Sequence, residues 1–184
     1  MGIDQIKNRQ RAVFLDRDGV LNAVITRDGK PFPPAELSEL QILPGVKQAL
    51  EDLKRDDWML IVVTNQPDVA RGTVDKKNVE EINAFLASRL PIDEILTCYH
   101  DDQQNCACRK PKPGLLVDAA TRHGLRLNEC YMVGDRWRDI HAGEAAGCKT
   151  IYIDYQYNER RPEQYDYQVK SLKEASEKIL GAAT

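Results

Sequence analysis

A short apolar run that ends in two aspartates constrains this chain more than any other feature. Residues 12–15 read Ala-Val-Phe-Leu, and Asp16, Arg17, Asp18 and Gly19 come directly after them. Because side chains alternate along an extended strand, Asp16 and Asp18 are predicted to share one side while Arg17 points away. Two carboxylates this close repel each other, and a hard divalent cation such as Mg2+ relieves that repulsion. An acidic turn has the same residues, so the later motifs of the chain must decide between the two interpretations.

Four later apolar runs predict further strands, and helical patterns separate most of them. The strands are predicted at residues 59–64, 94–97, 131–133 and 150–153. Helical spacing follows residues 44–45, spans 75–90, follows 113–114 and recurs around 171–180. This alternation favours an α/β fold with a doubly wound, Rossmann-like parallel sheet.

The length of 184 residues predicts one domain that spans residues 1–184. Residues 26–40 are rich in proline and charge and too short for a cap domain, so an irregular loop over the active site is predicted there. Residues 154–162 are predicted to form a surface connection that carries little functional information.

Charge and hydropathy exclude several classes of partner. The formal net charge is -3, and lysines and arginines are scattered, so no basic field for nucleic acid is predicted. Residues 1–11 lack the apolar core of a signal peptide, and no later run reaches the roughly 18 apolar residues of a membrane span. We therefore expect a cytoplasmic protein without membrane contact. Activity requires no second chain in this interpretation, so a monomer is expected.

The second predicted strand ends in hydroxyl and amide side chains. Thr64, Asn65 and Gln66 follow residues 59–63 directly. Because parallel strands end at the same sheet edge, these groups are predicted to lie near Asp16, where they suit phosphate oxygens. Thr and Asn also cap helices and form turns, and that alternative stays open for these residues taken alone.

Two later motifs bring charged residues to the same edge. Arg109 and Lys110 precede a predicted helix and suit an anionic substrate, although an Arg-Lys pair is more often a solvated surface loop. Asp135 ends a predicted strand and can complete a magnesium site. Asp139, four residues later, can act as an indirect ligand, fix Asp135 or a basic neighbour, or cap the helix.

A compact segment at residues 98–108 carries four side chains that suit tetrahedral zinc. The predicted ligands are Cys98, His100, Cys106 and Cys108. With all four positions filled by protein, the metal is expected to be structural and to position Arg109 and Lys110. Reduced cysteines beside an incidental histidine are the alternative. Cys130 and Cys148 adjoin strands and are predicted to be buried small apolar residues.

Taken in order, the Asp-x-Asp, Thr, Lys and Gly-Asp-x-x-x-Asp motifs resemble the haloacid dehalogenase-like (HAD) phosphatase superfamily over most of the chain. The resemblance implies that Asp16 attacks phosphorus to form an aspartyl-phosphate, while Asp18 protonates the leaving alcohol and then helps to activate water. It implies that Thr64 and Lys110 hold the phosphoryl oxygens. It also implies a catalytic Mg2+ bound by Asp16, the main-chain carbonyl of Asp18, and Asp135.

The zinc segment, together with Thr-Asn-Gln, Ala-Arg-Gly and Cys-Arg-Lys-Pro, is similar to a capless branch of that superfamily. This branch contains D-glycero-D-manno-heptose 1,7-bisphosphate phosphatases and histidinol-phosphate phosphatases. Residues 64–72 look like the first group, which is the favoured interpretation. The five residues between His100 and Cys106 look more like the second group.

The resemblance implies hydrolysis of a small phosphate monoester. The implied substrate-binding residues are Asn65, Gln66, Arg109 and Arg136. Arg109 and Arg136 suit a second phosphate or the sugar. Another small sugar-phosphate phosphatase remains open within this class. An interaction module that binds zinc but lacks the chemistry is the alternative from a different class.

Overall fold

The computed structural model describes residues 11–182. The polar stretch at residues 1–10 and the end of the predicted 1–184 domain span lie outside the described residues.

A six-stranded parallel sheet organises the described part of the chain. Its strands are β1 (Ala12–Leu15), β4 (Met59–Asn65), β5 (Glu94–Cys98), β6 (Tyr131–Gly134), β7 (Lys149–Ile153) and β8 (Tyr167–Val169). The strand order is β5-β4-β1-β6-β7-β8, so β1 lies between β4 and β6. The four residues of β1 are fully buried, as expected for a strand covered on both faces. The α/β sheet predicted from the sequence is confirmed.

Helices cover both faces of this sheet. They are α1 (Val46–Arg55), α2 (Lys76–Arg89), α3 (Gly114–His123), α4 (Trp137–Ala146) and α5 (Leu172–Gly181). Val13 and Leu15 of β1 pack in one core cluster with apolar residues of α1, α2 and α5. Ala12 and Phe14 point to the opposite face and pack with α3 and α4. The period-2 alternation of β1 therefore divides the core into two layers.

The sheet register brings the ends of three strands together. Leu15 pairs with Val62 of β4 on one side and with Val133 of β6 on the other. The polar residues that follow these strands therefore meet at one edge. This is the position predicted for the functional groups.

The prediction of an irregular loop at residues 26–40 is wrong in part. An antiparallel hairpin forms there from β2 (Ile25–Arg27) and β3 (Lys30–Phe32), and a 3-10 turn follows at Leu37–Glu39. The two residues at the hairpin turn, Asp28 and Gly29, both have positive φ, at 51° and 72°. Asp-Gly favours this two-residue turn because its twist matches that of the paired strands.

The burial of two cysteines and the length of the helices bear on two further expectations from the sequence. Cys130 and Cys148 are buried, as predicted. Within residues 11–182, every helix is too short or too polar to cross a membrane.

Candidate active site

The aspartates of the first motif line a cleft of about 290 Å³ beside the end of β1. Asp16 remains tied to the sheet because its N–H donates to the carbonyl of Val133 at 3.0 Å. Gly19 then turns the chain with a φ of 87°. A Cβ at this position would overlap the carboxylate of Asp135. A glycine is therefore needed both for the turn and for the approach of Asp135.

Lys110 joins two of the buried carboxylates. Its Nζ lies 2.9 Å from Asp16 Oδ1 and 2.6 Å from Asp139 Oδ1. The other oxygen of Asp139 accepts the N–H of Arg136 at 3.0 Å, in the first turn of α4. Asp139 thus both caps the helix and fixes the basic neighbour, two of the roles that the sequence left open.

Asp135 completes a cluster of three buried carboxylates. Oxygens of Asp16, Asp135 and Asp139 lie within 4.8 Å of one another. Lys110 neutralises one of the three charges. Neither oxygen of Asp135 has a hydrogen-bond partner of regular geometry within residues 11–182. The cluster therefore holds more negative charge than Lys110 neutralises, and the charge of Arg136 opposes only part of the excess at Asp135.

The pKa values reflect this excess charge. Burial, followed by the charge of Asp139, raises the pKa of Asp16 to about 7 although Lys110 opposes the shift. Burial and the charges of Asp139 and Asp16 also raise the pKa of Asp135 well above its usual value. Unpartnered carboxylate oxygens in a site of excess negative charge are suited to a hard divalent cation.

Asp18 is held by three side chains rather than left free in the cleft. Its carboxylate accepts hydrogen bonds from Arg17, from Asn22 Nδ2 at 2.9 Å and from Gln66 Nε2 at 2.8 Å. Arg17 is fully buried and, unlike Asp16 and Asp18, does not line the cleft. Its guanidinium nevertheless returns to the neighbouring Asp18, because β1 ends at Leu15 and strict alternation ends with it.

The residues that end β4 support the site in different ways. Thr64 is fully buried, and its hydroxyl accepts a hydrogen bond from Gln66 Nε2 at 3.0 Å. Gln66 therefore links Thr64 to Asp18. Asn65 lines the cleft and makes two hydrogen bonds to the backbone of Lys110, at 3.0 and 3.1 Å. The side chain of Asn65 thereby fixes the segment that carries Lys110.

The four predicted zinc ligands lie together. The Sγ atom of Cys108 is 3.2 Å from that of Cys98 and 3.3 Å from that of Cys106, and the Nδ1 atom of His100 is 3.4 Å from Cys108 Sγ. Ligands on a tetrahedral zinc about 2.3 Å away are themselves separated by less than about 4 Å. A possible Cys/His metal site therefore exists at the predicted position.

Arg109 and Arg138 converge on one carboxylate at the mouth of the cleft. Arg109 donates to Asp102 through Nε at 2.9 Å, and Arg138 donates to the same oxygen through Nη1 at 3.2 Å. The hydrogen bond from Arg109 and the charges of both arginines hold the pKa of Asp102 below its usual range. The Nη1 atom of Arg109 is buried and has no hydrogen-bond partner within the described residues. Arg109, a residue that lines the cleft, therefore keeps one unused donor.

Arg136 is held by a residue that the sequence did not single out. Its Nε and Nη2 atoms donate to the two carboxylate oxygens of Glu159 at 2.8 and 2.5 Å. Tyr157 lies against Asp135, and burial followed by the charge of Asp135 raises the pKa of its hydroxyl. The prediction that residues 154–162 carry little functional information is therefore wrong, because two residues of this segment contact Arg136 and Asp135. These contacts are long-range, and no local pattern in the sequence indicates them.

The predicted site residues thus lie in one neighbourhood. The cleft is lined by Asp16, Asp18, Asn65, Arg109, Lys110, Asp135 and Arg136. Thr64 and Gln66 lie behind this surface and are buried. Residues 67–72 reach the cleft through Pro67, Asp68 and Arg71, and the β2–β3 hairpin reaches it through Lys30 to Phe32.

Comparisons with known proteins agree with this geometry. Residues 107–175 match the HAD-hydrolase-like family model. The chain is 32% identical over 173 residues to D-glycero-beta-D-manno-heptose-1,7-bisphosphate 7-phosphatase of Helicobacter pylori strain 26695, covering 91% of this chain and 96% of the relative. It is 36% identical to the enzyme of the same name from Bordetella bronchiseptica, covering 75% and 77% of the two chains. The crystal structure of D,D-heptose 1,7-bisphosphate phosphatase from B. bronchiseptica, complexed with magnesium and phosphate, matches with a TM-score of 0.79 at 31% identity, covering 94% of this chain and 99% of that one.

Proposed function

We propose that this chain, which belongs to the HAD-like phosphatases in the family of the D-glycero-beta-D-manno-heptose-1,7-bisphosphate 7-phosphatases, shares the activity of that family. It removes the 7-phosphate from the β-anomer of heptose 1,7-bisphosphate. It is a phosphoric monoester hydrolase. The observation that carries the substrate proposal is the 32% identity to the Helicobacter enzyme along 96% of that enzyme's length. The substrate class is a small phosphate ester.

In this proposal Asp16 and Asp18 divide the chemistry. A carboxylate oxygen of Asp16 attacks phosphorus, the bond from phosphorus to the ester oxygen breaks, and Asp18 gives its proton to the departing alcohol. Water then attacks the aspartyl-phosphate and gives a proton to Asp18, which releases phosphate and restores the carboxylate of Asp16. Both aspartates line the same cleft, so one bound phosphate ester can contact both of them.

Lys110 is proposed to hold the phosphoryl oxygens from the wall of the cleft. Thr64 is proposed to assist from the layer behind it, because its hydroxyl accepts from Gln66 and keeps its own O–H to donate to a phosphoryl oxygen. The ammonium of Lys110 already lies 2.9 Å from Asp16, so a phosphoryl group on Asp16 would form beside a fixed positive charge. Asn65 serves this role indirectly because it holds the backbone of Lys110. Gln66 orients the Thr64 hydroxyl and the Asp18 carboxylate rather than facing the open cleft.

Mg2+ is proposed to be held by Asp16, the main-chain carbonyl of Asp18, and Asp135. The oxygens of Asp135, which lack hydrogen bonds of regular geometry, and the excess negative charge of the cluster fit this cation. When bound, it neutralises the phosphate and the attacking carboxylate so that they can approach each other. The relative from Bordetella contains magnesium and phosphate together.

Zn2+ is proposed to be bound by Cys98, His100, Cys106 and Cys108. The site has four protein ligands, so zinc would be structural. It would hold the segment that presents Arg109 and Lys110 to the cleft. Arg109, with its unused buried donor, and Arg136 are proposed to bind the phosphate that does not react.

Product analysis tests this function. Incubation with the β-anomer of heptose 1,7-bisphosphate and Mg2+ is expected to release phosphate and leave heptose 1-phosphate, identified by NMR. The Asp16→Asn variant is expected to release none, because an amide cannot form the aspartyl-phosphate. Retained activity in that variant would exclude Asp16 as the nucleophile.

Histidinol phosphate is the competing substrate, because the interval of five residues between His100 and Cys106 is short. The two substrates are compared by kcat/KM on one preparation. We expect the bisphosphate to be preferred by at least about 10-fold, the effect of one additional charge-assisted hydrogen bond. Equal and poor turnover of both would contradict the heptose assignment while leaving the phosphatase class intact.

A further inference from the structure

We propose that Asn83 of α2 is a positioning residue for Asp18 and acts through the buried guanidinium of Arg17. The proposal rests on the proposed function, in which Asp18 protonates the leaving alcohol. It concerns a network behind the cleft, where neither Asn83 nor Arg17 lines the cavity.

The guanidinium of Arg17 determines where the Asp18 carboxylate lies. Arg17 is fully buried, and its Nη2 atom is 3.1 Å from both carboxylate oxygens of Asp18. Asp18 is the only ion-pair partner of Arg17 within residues 11–182. A buried charge keeps its partner strongly, so the two side chains are expected to move together.

Asn83 fixes the other end of that guanidinium. Its Oδ1 atom accepts a hydrogen bond from Arg17 Nη1 at 3.0 Å, and its Nδ2 atom donates to the hydroxyl of Thr97 at 3.1 Å. Because Thr97 lies in β5 and takes the N–H side of the amide, the oxygen side is left to face Arg17. A continuous chain of contacts therefore runs from β5 through Asn83 and Arg17 to Asp18.

Removing the acceptor on Asn83 would leave a buried N–H of Arg17 without a partner. The guanidinium would then turn to recover a hydrogen bond, and the carboxylate of Asp18 would follow it. Asn22 and Gln66 also restrain the carboxylate of Asp18, but each of them contacts only one of its oxygens. Only the Nη2 atom of Arg17 contacts both oxygens among the hydrogen bonds of the described residues. Misplacement of a reacting group by about 1 Å can cost about 100-fold in rate.

The chemistry supplies a measurement specific to Asp18. In the first step Asp16 forms a bond to phosphorus, the phosphorus–oxygen bond of the ester breaks, and the proton of Asp18 passes to the alcohol oxygen. An alkyl leaving group such as the heptose needs that proton. A p-nitrophenolate leaves without it. Since kcat/KM reports the steps up to the first irreversible one, the ratio of the two substrates measures proton delivery.

The test compares the Asn83→Leu variant with wild type on heptose 1,7-bisphosphate and on p-nitrophenyl phosphate. We expect kcat/KM to fall about 10- to 100-fold for the bisphosphate and less than about 3-fold for the aryl ester. Both substrates are measured on one preparation, so a change in the folded fraction cancels in the ratio. An equal loss on both substrates would show a merely structural role and overturn the proposal.

Asn78→Leu is the matched control. Asn78 also lies in α2, is half-buried and donates one hydrogen bond, to the carbonyl of Ala35 at 3.2 Å. Its replacement is expected to leave the substrate ratio unchanged. A similar change of ratio in this control would overturn the proposal, because the effect would then belong to the helix rather than to Arg17.

Two further variants separate this proposal from the function on which it rests. Asn83→Asp keeps an oxygen acceptor for Arg17, and the Thr97 hydroxyl can donate to its second oxygen in place of accepting from the lost N–H. This variant is expected to restore the wild-type ratio, whereas failure to restore it counts against the proposal. Asp18→Asn should lower the ratio at least as far as Asn83→Leu. If Asp18→Asn changes the ratio and Asn83→Leu does not, positioning by Asn83 is overturned and the proposed function stands. If Asp18→Asn leaves the ratio unchanged, both are overturned.

Discussion

At the scale of single residues, Gly19 marks the point where the first active-site loop meets a carboxylate of the cluster. Its φ of 87° and the space occupied by Asp135 both exclude a side chain. We predict that Gly19→Ala weakens Mg2+ binding by about 10-fold or more, because the new Cβ displaces a proposed ligand. Titration calorimetry with Mg2+ measures the change.

The control for this prediction is Gly124→Ala. Gly124 has a φ of 63° at the end of α3, and no atom lies within 4 Å of its missing Cβ. This variant carries the backbone cost of about 1–2 kcal/mol without the clash, so it should lower stability and leave Mg2+ binding unchanged. Equal Mg2+ affinity in both variants would contradict the role assigned to Gly19.

Residues at strand ends were predictable from the sequence because their positions follow from local rules. An apolar run followed by Asp16, Thr64 or Asp135 places the polar group at the carboxyl edge of a parallel sheet. Arg17 and Glu159 were not predictable in this way. Their partners are decided by which loops meet after folding, and nothing in the neighbouring sequence records that meeting.

At the scale of elements, the Cys/His segment is predicted to depend on its metal. Removal of zinc, or the Cys106→Ser substitution, should raise KM for the bisphosphate about 10- to 100-fold, since losing a charge-assisted contact from Arg109 costs about 1.5–3 kcal/mol. The melting temperature should also fall. Enzyme kinetics, calorimetry and elemental analysis of one preparation provide the measurements.

Cys148→Ser is the matched control, because Cys148 is buried outside the four-ligand cluster. It should retain zinc and the wild-type KM. Purified wild-type protein without stoichiometric zinc would contradict the identity proposed for the metal. Unchanged kinetics after verified removal would contradict its role in presenting Arg109.

The contact between β5 and α3 is predicted to make stability depend on acid pH. Burial alone would raise the pKa of Glu94, but hydrogen bonds from Arg122 and His123 lower it below its ordinary 4.5. A lowered folded-state pKa stabilises the fold above the unfolded value and loses that contribution as the pH falls through the folded value. Glu94→Gln should therefore lower stability at neutral pH, and its difference from wild type should shrink as the pH falls below 4.5.

Urea unfolding at several pH values measures this difference. Glu163→Gln breaks an exposed contact with Arg160 and should change stability little at any pH. A difference between Glu94→Gln and wild type that stays constant down to strongly acid pH would contradict the titration of Glu94 as its cause.

Helices and strands with a clear hydrophobic periodicity were predictable from the sequence. The short strands were not, because a turn or a neighbouring strand defines them. The Asp28-Gly29 pair was an available signal for the β2–β3 hairpin, because both residues readily adopt positive φ. The edge strand β8 has only three residues, and it is defined by pairing with β7 rather than by a pattern of its own. Its existence therefore could not be derived from residues 167–169 alone.

At the scale of the whole molecule, the sheet supports a site that opposes its own stability. Three carboxylates meet at its edge against one ammonium, and the two layers of apolar core must compensate for their repulsion. Such conflicts between stability and arrangement are expected at functional sites. The loss of folding stability caused by this repulsion can be measured, because it disappears when one of the carboxylate charges is removed.

The Asp135→Asn variant is predicted to be more stable than wild type when Mg2+ is absent. Asp135 is buried, both of its oxygens lack regular hydrogen bonds, and burial with the neighbouring charges raises its pKa well above the usual value. Removing the charge should stabilise the fold by about 1–3 kcal/mol, which corresponds to a rise in melting temperature of roughly 2–12 °C for a chain of this size.

Calorimetry with and without Mg2+ provides the measurement. Added Mg2+ should stabilise the wild type, because it binds the folded state, and should have little effect on Asp135→Asn. Asp139→Asn is the control with the opposite sign: Asp139 pairs with Lys110 and caps α4, so its loss should lower stability under both conditions. If Asp135→Asn instead destabilises the Mg2+-free protein as much as Asp139→Asn does, the charge of Asp135 is already compensated, and the excess negative charge proposed to attract Mg2+ is absent.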